Sequence, residues 1–289
     1  MQPCFTKFRS PKALIRQIFL SAITLSRKME LFVGSEHSDL YQKYRPTYPP
    51  ELYAFIANFC KTGRGSLDTA VDVGCGTGLS TLPLCKYFNK VIGVDVSETQ
   101  INTARTTHRQ SNLMFHTSNG EQLQFLSDCS VDLVTVAQAM HWIEPEPFYR
   151  EVTRILRPSG SLVVYGYGIN TIDSNEGNKI IDKFYSHDLE GFWDSRRRHI
   201  DNLYQEISLP FSGSERISDF VIQNRWSVSD VVGYLSTWSA WQRYLKQHPD
   251  SNLLVEIQRH LENIYQDQKI TITWPVFVLL GRKESEKKP

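Results

Sequence analysis

Residues 71–78, with the sequence VDVGCGTG, constrain the fold of this chain more than any other segment. Gly74, Gly76 and Gly78 follow an apolar run, an arrangement typical of the tight turn between the first strand of a nucleotide-binding sheet and the element that follows it. A Cβ atom at these positions would collide with a ligand that approaches the backbone closely. Asp95 follows the loop by about 20 residues, where an acidic side chain can accept hydrogen bonds from ribose hydroxyls. The glycines and the acid together predict an adenosine-bearing ligand at the carboxyl end of a parallel sheet.

The rest of the chain alternates between short apolar runs and amphipathic stretches, which predicts parallel strands joined by helical crossovers. We expect strands at Thr69–Val73, Val91–Asp95, Asn112–His116, Val131–Val136, Ser161–Tyr167, Leu203–Pro210 and Ile270–Leu280. We expect helices over Ser97–Arg109, over Pro147–Leu156 and from Ser227 onward, with a turn at residues 157–160. The predicted fold class is α/β: a doubly wound, mostly parallel, seven-stranded sheet with an inserted helical cap.

Changes in composition suggest four regions along the chain. They are a basic extension at residues 1–28, a ligand-binding core at 29–168, a cap insertion with the sixth strand at 169–269, and the last strand with a polar tail at 270–289. The extension resembles a mitochondrial transit segment, and the alternative is a dispensable extension of a cytoplasmic protein. We expect a cytoplasmic location, or a mitochondrial one if residues 1–28 act as a transit segment.

Charge, hydropathy and cysteine content exclude several classes of protein. The whole chain has 32 basic and 31 acidic side chains, and residues 1–28 contain six basic and no acidic ones, so the remainder is mildly acidic. This balance argues against nucleic acid as a partner. The longest apolar stretch, Ala13 to Leu25, is interrupted by Arg16 and is shorter than the roughly 20 residues that span a bilayer. The five cysteines are scattered without CxxC spacing, so neither a disulfide framework nor a zinc site is expected.

The spacing of the glycines distinguishes between classes of nucleotide ligand. A dinucleotide fingerprint that starts at Gly74 requires a glycine at position 79, where this chain has Leu79. NAD is therefore disfavoured. The observed pattern D-x-G-x-G-x-G instead resembles motif I of the class I S-adenosylmethionine-dependent methyltransferases. The resemblance implies that the loop faces the methionine part of the donor and that Asp72 organises the loop.

Further segments extend this resemblance over about residues 35 to 283. Residues 93–97, 119–123, 131–142 and 154–160 are similar to the later motifs of the family, in the correct order. Residues 44–49, 137–142 and 236–241 are similar to the trans-aconitate methyltransferase-like branch. Ser159, where glycine is usual, and Gly120, where alanine is common, are mild departures.

The resemblance implies roles for individual residues. The expected cofactor-binding residues are Asp72, Gly74, Cys75, Gly76, Gly78, Asp95, Val96, Gly120, Glu121 and Ala137. The expected acceptor-binding residues are Tyr41, Arg45, Tyr48, Trp142, Trp238 and Trp241. His141 is a candidate base or acceptor-positioning residue. Alternatives stay open at five places. Glu121 can be a solvent-facing acid, His141 a structural histidine, and the two tryptophans of the Ser227 helix core residues. Residues 196–199 can form either an anion clamp or a solvated helix face, and the segment with Tyr41, Tyr44, Arg45 and Tyr48 can be a lid over the cofactor or simple surface packing.

The donor is a sulfonium whose methyl group is already activated, so transfer needs an acceptor lone pair held in line with the leaving sulfur. The resemblance suggests a small carboxylic acid as acceptor, and a carboxylate is ionised near neutral pH and needs no base. A hydroxyl or amine acceptor would make His141 the leading candidate base. Two other functions compete with a methyltransferase: a cofactor-binding scaffold without catalysis, and a nicotinamide oxidoreductase. The sequence carries no motif that specifies an oligomeric state.

Overall fold

The computed structural model describes residues 44–63 and 66–285 of the chain. Its strands are β1 (Thr69–Val73), β2 (Lys90–Asp95), β3 (Leu113–Thr117), β4 (Val131–Ala137), β5 (Leu156–Tyr167), β6 (Thr171–Ile172), β7 (Glu215–Trp226) and β8 (Ile270–Arg282). The α-helices in the described ranges are α1 (Pro50–Thr62), α2 (Glu98–Thr107), α3 (Pro145–Ile155), α4 (Asn175–Lys183), α5 (Arg197–Asp201), α6 (Val228–Ser236), α7 (Ser239–Gln247) and α8 (Leu253–Tyr265). Six of the predicted strands agree with observed strands to within a few residues, and the sixth in chain order does not.

The sheet is doubly wound around β1. Its order is β3-β2-β1-β4-β5-β8, and both β6 and β7 pair with β8. Strands β1 to β5 are mutually parallel, whereas β8 runs antiparallel to β5, β6 and β7. The chain leaves β1 toward β2 and returns on the other side through β4, which creates a switch point where open α/β sheets bind ligands. The predicted α/β fold class is confirmed.

The register of the central strands brings the predicted ligand-binding residues to one edge of the sheet. Asp72 of β1 pairs with Gly93 of β2 and with Thr135 of β4. Because the three strands are parallel, their carboxyl ends meet at the same edge. Gly74, Asp95 and Ala137 therefore lie close together, although the sequence separates them widely.

The predicted strand at Leu203–Pro210 is wrong, and the strand in this region is β7. Leu203 and Tyr204 both have positive φ, 51° and 57°, so two successive residues lie outside the β region that a regular strand requires. The Arg216 side chain donates to the carbonyl oxygens of these two residues at 2.8 and 2.6 Å, and so holds this conformation. Strand β7 lies at the edge of the sheet and is largely exposed, so it lacks the continuous apolar run that identifies buried strands.

Two further segments differ from the prediction in local detail. The turn expected at residues 157–160 falls inside β5, where Ser159 has a φ of 66° and the pairing with β4 changes register. The helix expected from Ser227 begins there with a capping box to Asp230, but it ends at Ser236. Trp238 is extended at a φ of −67° and a ψ of 132°, and α7 starts after it. The apolar stripe is therefore divided between two helices.

The cap proposed for residues 169–269 also supplies β6 and β7 to the main sheet. Cap and core therefore share one sheet. The basic extension at residues 1–28 lies outside the described residues. Among the described helices, none combines the length and the apolar character needed to cross a membrane.

Candidate cofactor and acceptor cleft

An open cleft lies at the carboxyl edge of the sheet over β1, β2 and β4, with about 1330 Å³ of space that includes the solvent at its mouth. Its wall contains eleven of the residues predicted for cofactor or acceptor binding: Arg45, Tyr48, Gly74, Cys75, Gly76, Asp95, Val96, Gly120, Glu121, Ala137 and Trp142. Asp72 and Gly78 lie behind this wall. Tyr41 lies outside the described residues. His141, Trp238 and Trp241 are described but do not line the cleft.

The glycine loop has a conformation that other residues adopt only with strain. Gly74 has a φ of 72°, and a Cβ atom built there would lie 2.5 Å from the Cβ of Ala139, beside the end of β4. The amide nitrogens of Gly74 and Cys75 both donate to the carbonyl of Val94 in β2. Gly78 has a φ of 86°, and its Cβ would lie 2.8 Å from the Phe115 ring. Glycine is thus required for both the turn and the close packing of the loop.

Asp72 lies directly beneath this loop, with no solvent exposure. Its carboxylate accepts hydrogen bonds from three hydroxyls, at 3.0 Å from Ser80, 2.6 Å from Thr81 and 2.7 Å from Thr135. Burial raises the pKa of this carboxyl, and the hydroxyl donors oppose that rise. These bonds fasten the loop to the chain that follows it and to β4. We therefore infer that Asp72 organises the loop without touching the ligand.

Asp95 connects the end of β2 to the glycine loop. One carboxylate oxygen accepts from the Gly76 amide at 2.9 Å, and the other accepts from the Ser97 amide at 2.8 Å. Burial raises the pKa of Asp95, and its backbone hydrogen bonds lower it. Each carboxylate oxygen keeps a second lone pair, so both oxygens can still accept hydrogen bonds from ligand hydroxyls.

Glu121 is half-buried and is bonded to the backbone. Its Oε1 accepts a hydrogen bond from the amide of Glu144, the residue that precedes α3, at 2.9 Å. Gly120 beside it packs against β1, because a Cβ there would lie 2.6 Å from the Val73 side chain. The loop that borders the cleft is therefore fixed both to β1 and to the start of α3. Glu121 is thus partly exposed, as the solvent-facing alternative expects, but its carboxylate also holds the amide of Glu144.

The donor end of the cleft fits a cationic, adenosine-bearing group. Gln100 is 7% exposed, and its Oε1 has no hydrogen-bond partner among the described residues. This oxygen lies 4.0 Å from the position of a Cβ on Gly76, so it can accept a bond from a ligand seated on the loop. Two acids, Asp95 and Glu121, line the cleft, and Arg45 is the only cationic side chain among its described lining residues. Such a wall suits a sulfonium better than a pyrophosphate.

Arg45, Tyr48 and Tyr167 line the part of the cleft beside β5, which we call the acceptor end because Arg45 and Tyr48 are predicted to bind the acceptor. The Arg45 guanidinium donates to the Tyr167 hydroxyl and to the Thr237 carbonyl, both at 3.2 Å. It also lies over the Tyr234 ring, 5.7 Å from the centroid. Tyr48 packs edge-on against Tyr165 at 4.8 Å between ring centroids. The segment before α1 therefore places a cation against the side of the cleft formed by β5.

His141 is placed as a structural residue. Its Nδ1 lies 2.6 Å from the Tyr204 hydroxyl oxygen, which also accepts the His141 amide at 3.4 Å. Because the hydroxyl oxygen accepts from the backbone, its proton is available to Nδ1, which fits a neutral ring. Burial, together with the charges of Arg197, His199 and Arg196, lowers the pKa of His141 to about 3. A base with so low a pKa accepts protons poorly near neutral pH, so the position does not support a catalytic role.

We predict that His141 makes folding stability depend on pH. Its folded-state pKa of about 3 lies below the ordinary value of 6.5, so the unfolded chain binds more protons between these values. The stabilisation is fully present above pH 6.5 and is lost as the pH falls toward the folded-state pKa. The free energy of unfolding of the wild type, measured with urea, should fall by up to ~1.4 kcal/mol per pH unit below the ordinary histidine pKa because of this residue. The His141→Gln variant should show a shallower slope, and equal slopes would contradict the assignment.

Trp238 and Trp241 belong to the core, so their predicted position at an acceptor wall is not what the structure shows. They are 3% and 4% exposed. Trp238 stacks on Phe184 at 5.7 Å between ring centroids and contacts Tyr185 and Trp193. Helical spacing indicated that these rings face the interior, and it could not distinguish a packed interior from a cavity.

Replacement of Trp238 should therefore affect stability and not acceptor binding. We expect Trp238→Ala to lower the free energy of unfolding by ~3–5 kcal/mol, because it removes a large, fully packed side chain. Trp238→Phe should cost less and leave the KM for the acceptor unchanged. Urea denaturation and steady-state kinetics measure the two effects. A raised acceptor KM in Trp238→Phe at normal stability would restore the cleft assignment.

The arginine cluster at residues 196–199 is mostly bonded within the cap. Arg197 pairs with Asp201 at 3.2 Å, and His199 pairs with Glu206. Arg196 lies over the ring of Trp142, 4.6 Å from its centroid, and Trp142 lines the cleft. Arg196, Arg197 and His199 are therefore bonded within the cap or to Trp142, whereas Arg198 is exposed to solvent.

Comparison with known proteins agrees with this geometry. A family model described as a methyltransferase domain matches residues 71–164. The chain is 35% identical over 254 residues to a Dictyostelium discoideum protein assigned as a methyltransferase, covering 86% of this chain and 93% of that protein. It is 28% identical over 286 residues to a Saccharomyces cerevisiae protein assigned as an S-adenosylmethionine-dependent methyltransferase. This match covers 84% of this chain and 94% of that protein. A solved structure from Anaeromyxobacter dehalogenans, assigned as a type II methyltransferase, superposes with a TM-score of 0.73 at 28% identity, covering 84% of this chain and all of that one.

The matches to these three proteins cover 84 to 86% of this chain and 93% or more of each of theirs. The family predicted from the motif resemblance is confirmed, and so are the enzyme class and the methyl donor. The nicotinamide oxidoreductase and scaffold alternatives are not supported. The chain belongs to the class I S-adenosylmethionine-dependent methyltransferases.

Proposed function

We propose that this enzyme transfers the donor's methyl group to a carboxylate oxygen of a small organic acid. One observation carries the proposal. The acceptor end of the cleft holds the Arg45 guanidinium, whereas no histidine or lysine occurs among the described residues that line the cleft. The site therefore offers a cation to bind an anion, and its two carboxylates, Asp95 and Glu121, are engaged by backbone amides.

A carboxylate suits this arrangement chemically. It is ionised at neutral pH, so its oxygen already has the lone pair that attacks the methyl group. A guanidinium matches the carboxylate geometry and can bind it through two parallel hydrogen bonds. A hydroxyl or amine acceptor would have to lose a proton, and His141 lies behind the wall with its Nδ1 on Tyr204. The resemblance to the trans-aconitate methyltransferase-like branch supports the same class of acceptor.

The bound donor supplies a methyl group activated by a positive sulfur. The glycine loop would hold its methionine part, and Asp95 and Gln100 would accept hydrogen bonds from its polar groups. Arg45 would orient the acceptor carboxylate. Tyr48, Trp142 and Tyr167 would cover the acceptor and exclude water, which strengthens the electrostatic contacts inside the cleft.

Three broader proposals accompany this one. The acceptor is a small molecule and not a nucleic acid, because the chain outside residues 1–28 has an acidic balance. The enzyme is cytoplasmic, or mitochondrial if residues 1–28 direct import. Residues 29–168 bind the donor and line the cleft, and residues 169–269 support the acceptor side through Thr237 and Tyr234, which contact Arg45. Import of a fusion protein carrying residues 1–35 would distinguish the two compartments.

The proposed reaction is tested by isotope transfer. Purified enzyme is incubated with a set of organic acids and a donor carrying a deuterated methyl group, and the products are analysed by mass spectrometry. Methyl esters should form, and mild alkali should release their label as methanol. Label found only in alkali-stable products, such as methyl ethers or methylamines, would contradict a carboxylate acceptor.

A further inference from the structure

Gln138 is a polar residue of the cleft wall to which the sequence assigned no role. It follows Ala137 at the end of β4 and has a φ of 53°, in the left-handed region that residues other than glycine rarely adopt. Its amide nitrogen donates to the Tyr165 carbonyl at 2.9 Å. Its side-chain Nε2 donates to the Tyr167 carbonyl, also at 2.9 Å. The residue is therefore held by β5 at both its backbone and its side chain.

The orientation of the Gln138 amide follows from these contacts. A backbone carbonyl can only accept, so the side-chain atom beside Tyr167 is the nitrogen and the other is the oxygen. This Oε1 is buried and has no hydrogen-bond partner within residues 44–63 and 66–285. It lies 2.6 Å from the position of a Cβ on Gly166, so glycine in β5 leaves the space that the oxygen occupies. A buried carbonyl oxygen held without a donor is costly, and such groups are rare in folded proteins.

Gln138 and Arg45 bind the same residue from two sides. Arg45 contacts the Tyr167 hydroxyl, and Gln138 contacts the Tyr167 backbone carbonyl. Both residues line the same cleft. Because Tyr167 joins them, we expect an acceptor bound at Arg45 to come close to Gln138. The guanidinium selects a negative charge, whereas the amide oxygen accepts only from an O–H or N–H and repels a second carboxylate.

We propose that Gln138 is a specificity-determining residue, and that the acceptor is a carboxylic acid with a neutral hydrogen-bond donor, a hydroxyl or an amide N–H, beside its carboxylate. The inference rests on the proposed carboxylate methylation. Sites built to bond a donor group of the substrate reject analogues without it far more strongly than apolar pockets reject a missing methylene.

Matched pairs of acids test this proposal. Lactate with propionate and mandelate with phenylacetate differ by a hydroxyl, and N-acetylglycine with levulinate differs by an N–H in place of a CH₂. In at least one pair, the kcat/KM of the wild type should be at least ~10-fold higher for the acid that carries the hydroxyl or N–H. Gln138→Met, which is similar in size and has no amide, should bring that ratio close to one. If Gln138 had only a structural role, Gln138→Met would lower kcat/KM for both acids of a pair by the same factor.

Gln100→Met is the matched control, because Gln100 also has a buried, unpartnered Oε1 but lies at the donor end of the cleft. It should raise the KM for S-adenosylmethionine and leave the acid ratio unchanged. If Gln138→Met does not fold, as judged by circular dichroism, the wild-type kcat/KM ratios within the matched pairs still test the predicted preference for acids with a hydroxyl or N–H. Methylation of acids without preference in any pair, or a preference that persists in Gln138→Met, overturns the role of Gln138 and leaves carboxylate methylation standing. If no acid is methylated while S-adenosylhomocysteine still binds in calorimetry, both proposals fail.

Discussion

Gly74→Val is expected to weaken the binding of S-adenosylhomocysteine by at least ~100-fold, equivalent to ~2.7 kcal/mol. Any Cβ at this position would lie 2.5 Å from the Ala139 Cβ, and the φ of 72° disfavours a β-branched residue. Relief of the clash must displace either the loop or the segment after β4, and both line the cleft. Isothermal titration calorimetry with the demethylated donor measures the loss without requiring an acceptor.

Gly191→Val is the matched control for this prediction. Gly191 has a φ of 79°, close to that of Gly74, but no described atom lies within 4 Å of the position that a Cβ on it would take. The substitution carries the same backbone strain, a cost of order 1–3 kcal/mol in stability, and should leave affinity for the donor product unchanged. Equal affinities in both variants and the wild type would show that the glycine loop does not hold the donor.

The donor half of the cleft could be predicted because its determinants are local. The spacing of the glycines, the acid in β1 and the acid at the end of β2 each lie within a few residues of a strand end. Parallel strands bring such ends together regardless of their separation in sequence. Asp72 and Asp95 are therefore found at the loop, as the motif resemblance implied.

The acceptor half could not be predicted in the same way, because it depends on contacts between distant segments. The hydroxyl that is hydrogen-bonded to His141 belongs to Tyr204, 63 residues away, in a stretch that was predicted from the sequence to be a strand. A histidine beside a predicted site looks like a base until its burial and its partner are known. Gln138 gave no signal, since an isolated glutamine after a strand is ordinary. Its left-handed backbone and buried oxygen become visible only in three dimensions.

The polar groups around the cleft differ in how they are satisfied. Asp72 and Asp95 are bonded to hydroxyls and amides that fix the loop, so the donor site is organised before any ligand enters. Preorganised groups need not be ordered during binding, which favours affinity. Gln100 and Gln138 instead present buried oxygens without partners among the described residues, one at each end of the cleft. The unsatisfied groups therefore mark the places where we expect ligands to bond.

Arg45→Met should lower kcat/KM for a carboxylate acceptor by about 100-fold or more while leaving the affinity for S-adenosylhomocysteine within a few-fold of wild type. Truncation of one partner of a buried, hydrogen-bonded charge pair costs ~2–5 kcal/mol, because the other charge stays unpaired. Arg45→Lys keeps the positive charge but lacks the planar fork, so its activity should lie between those of wild type and Arg45→Met. Steady-state kinetics with the best acid from the isotope experiment measures the loss, and calorimetry measures the affinity for the donor product.

Arg282→Met controls for the packing that Arg45→Met also removes. The Arg282 guanidinium donates to the Phe59 carbonyl at 2.6 Å and lies 4.2 Å from the Phe59 ring centroid. It thus reproduces the carbonyl and aromatic contacts of Arg45, but it does not line the cleft. This variant should lose stability and keep its acceptor kinetics. If both variants lose activity only in proportion to stability, Arg45 serves packing alone, and the acceptor carboxylate must be bound by another group.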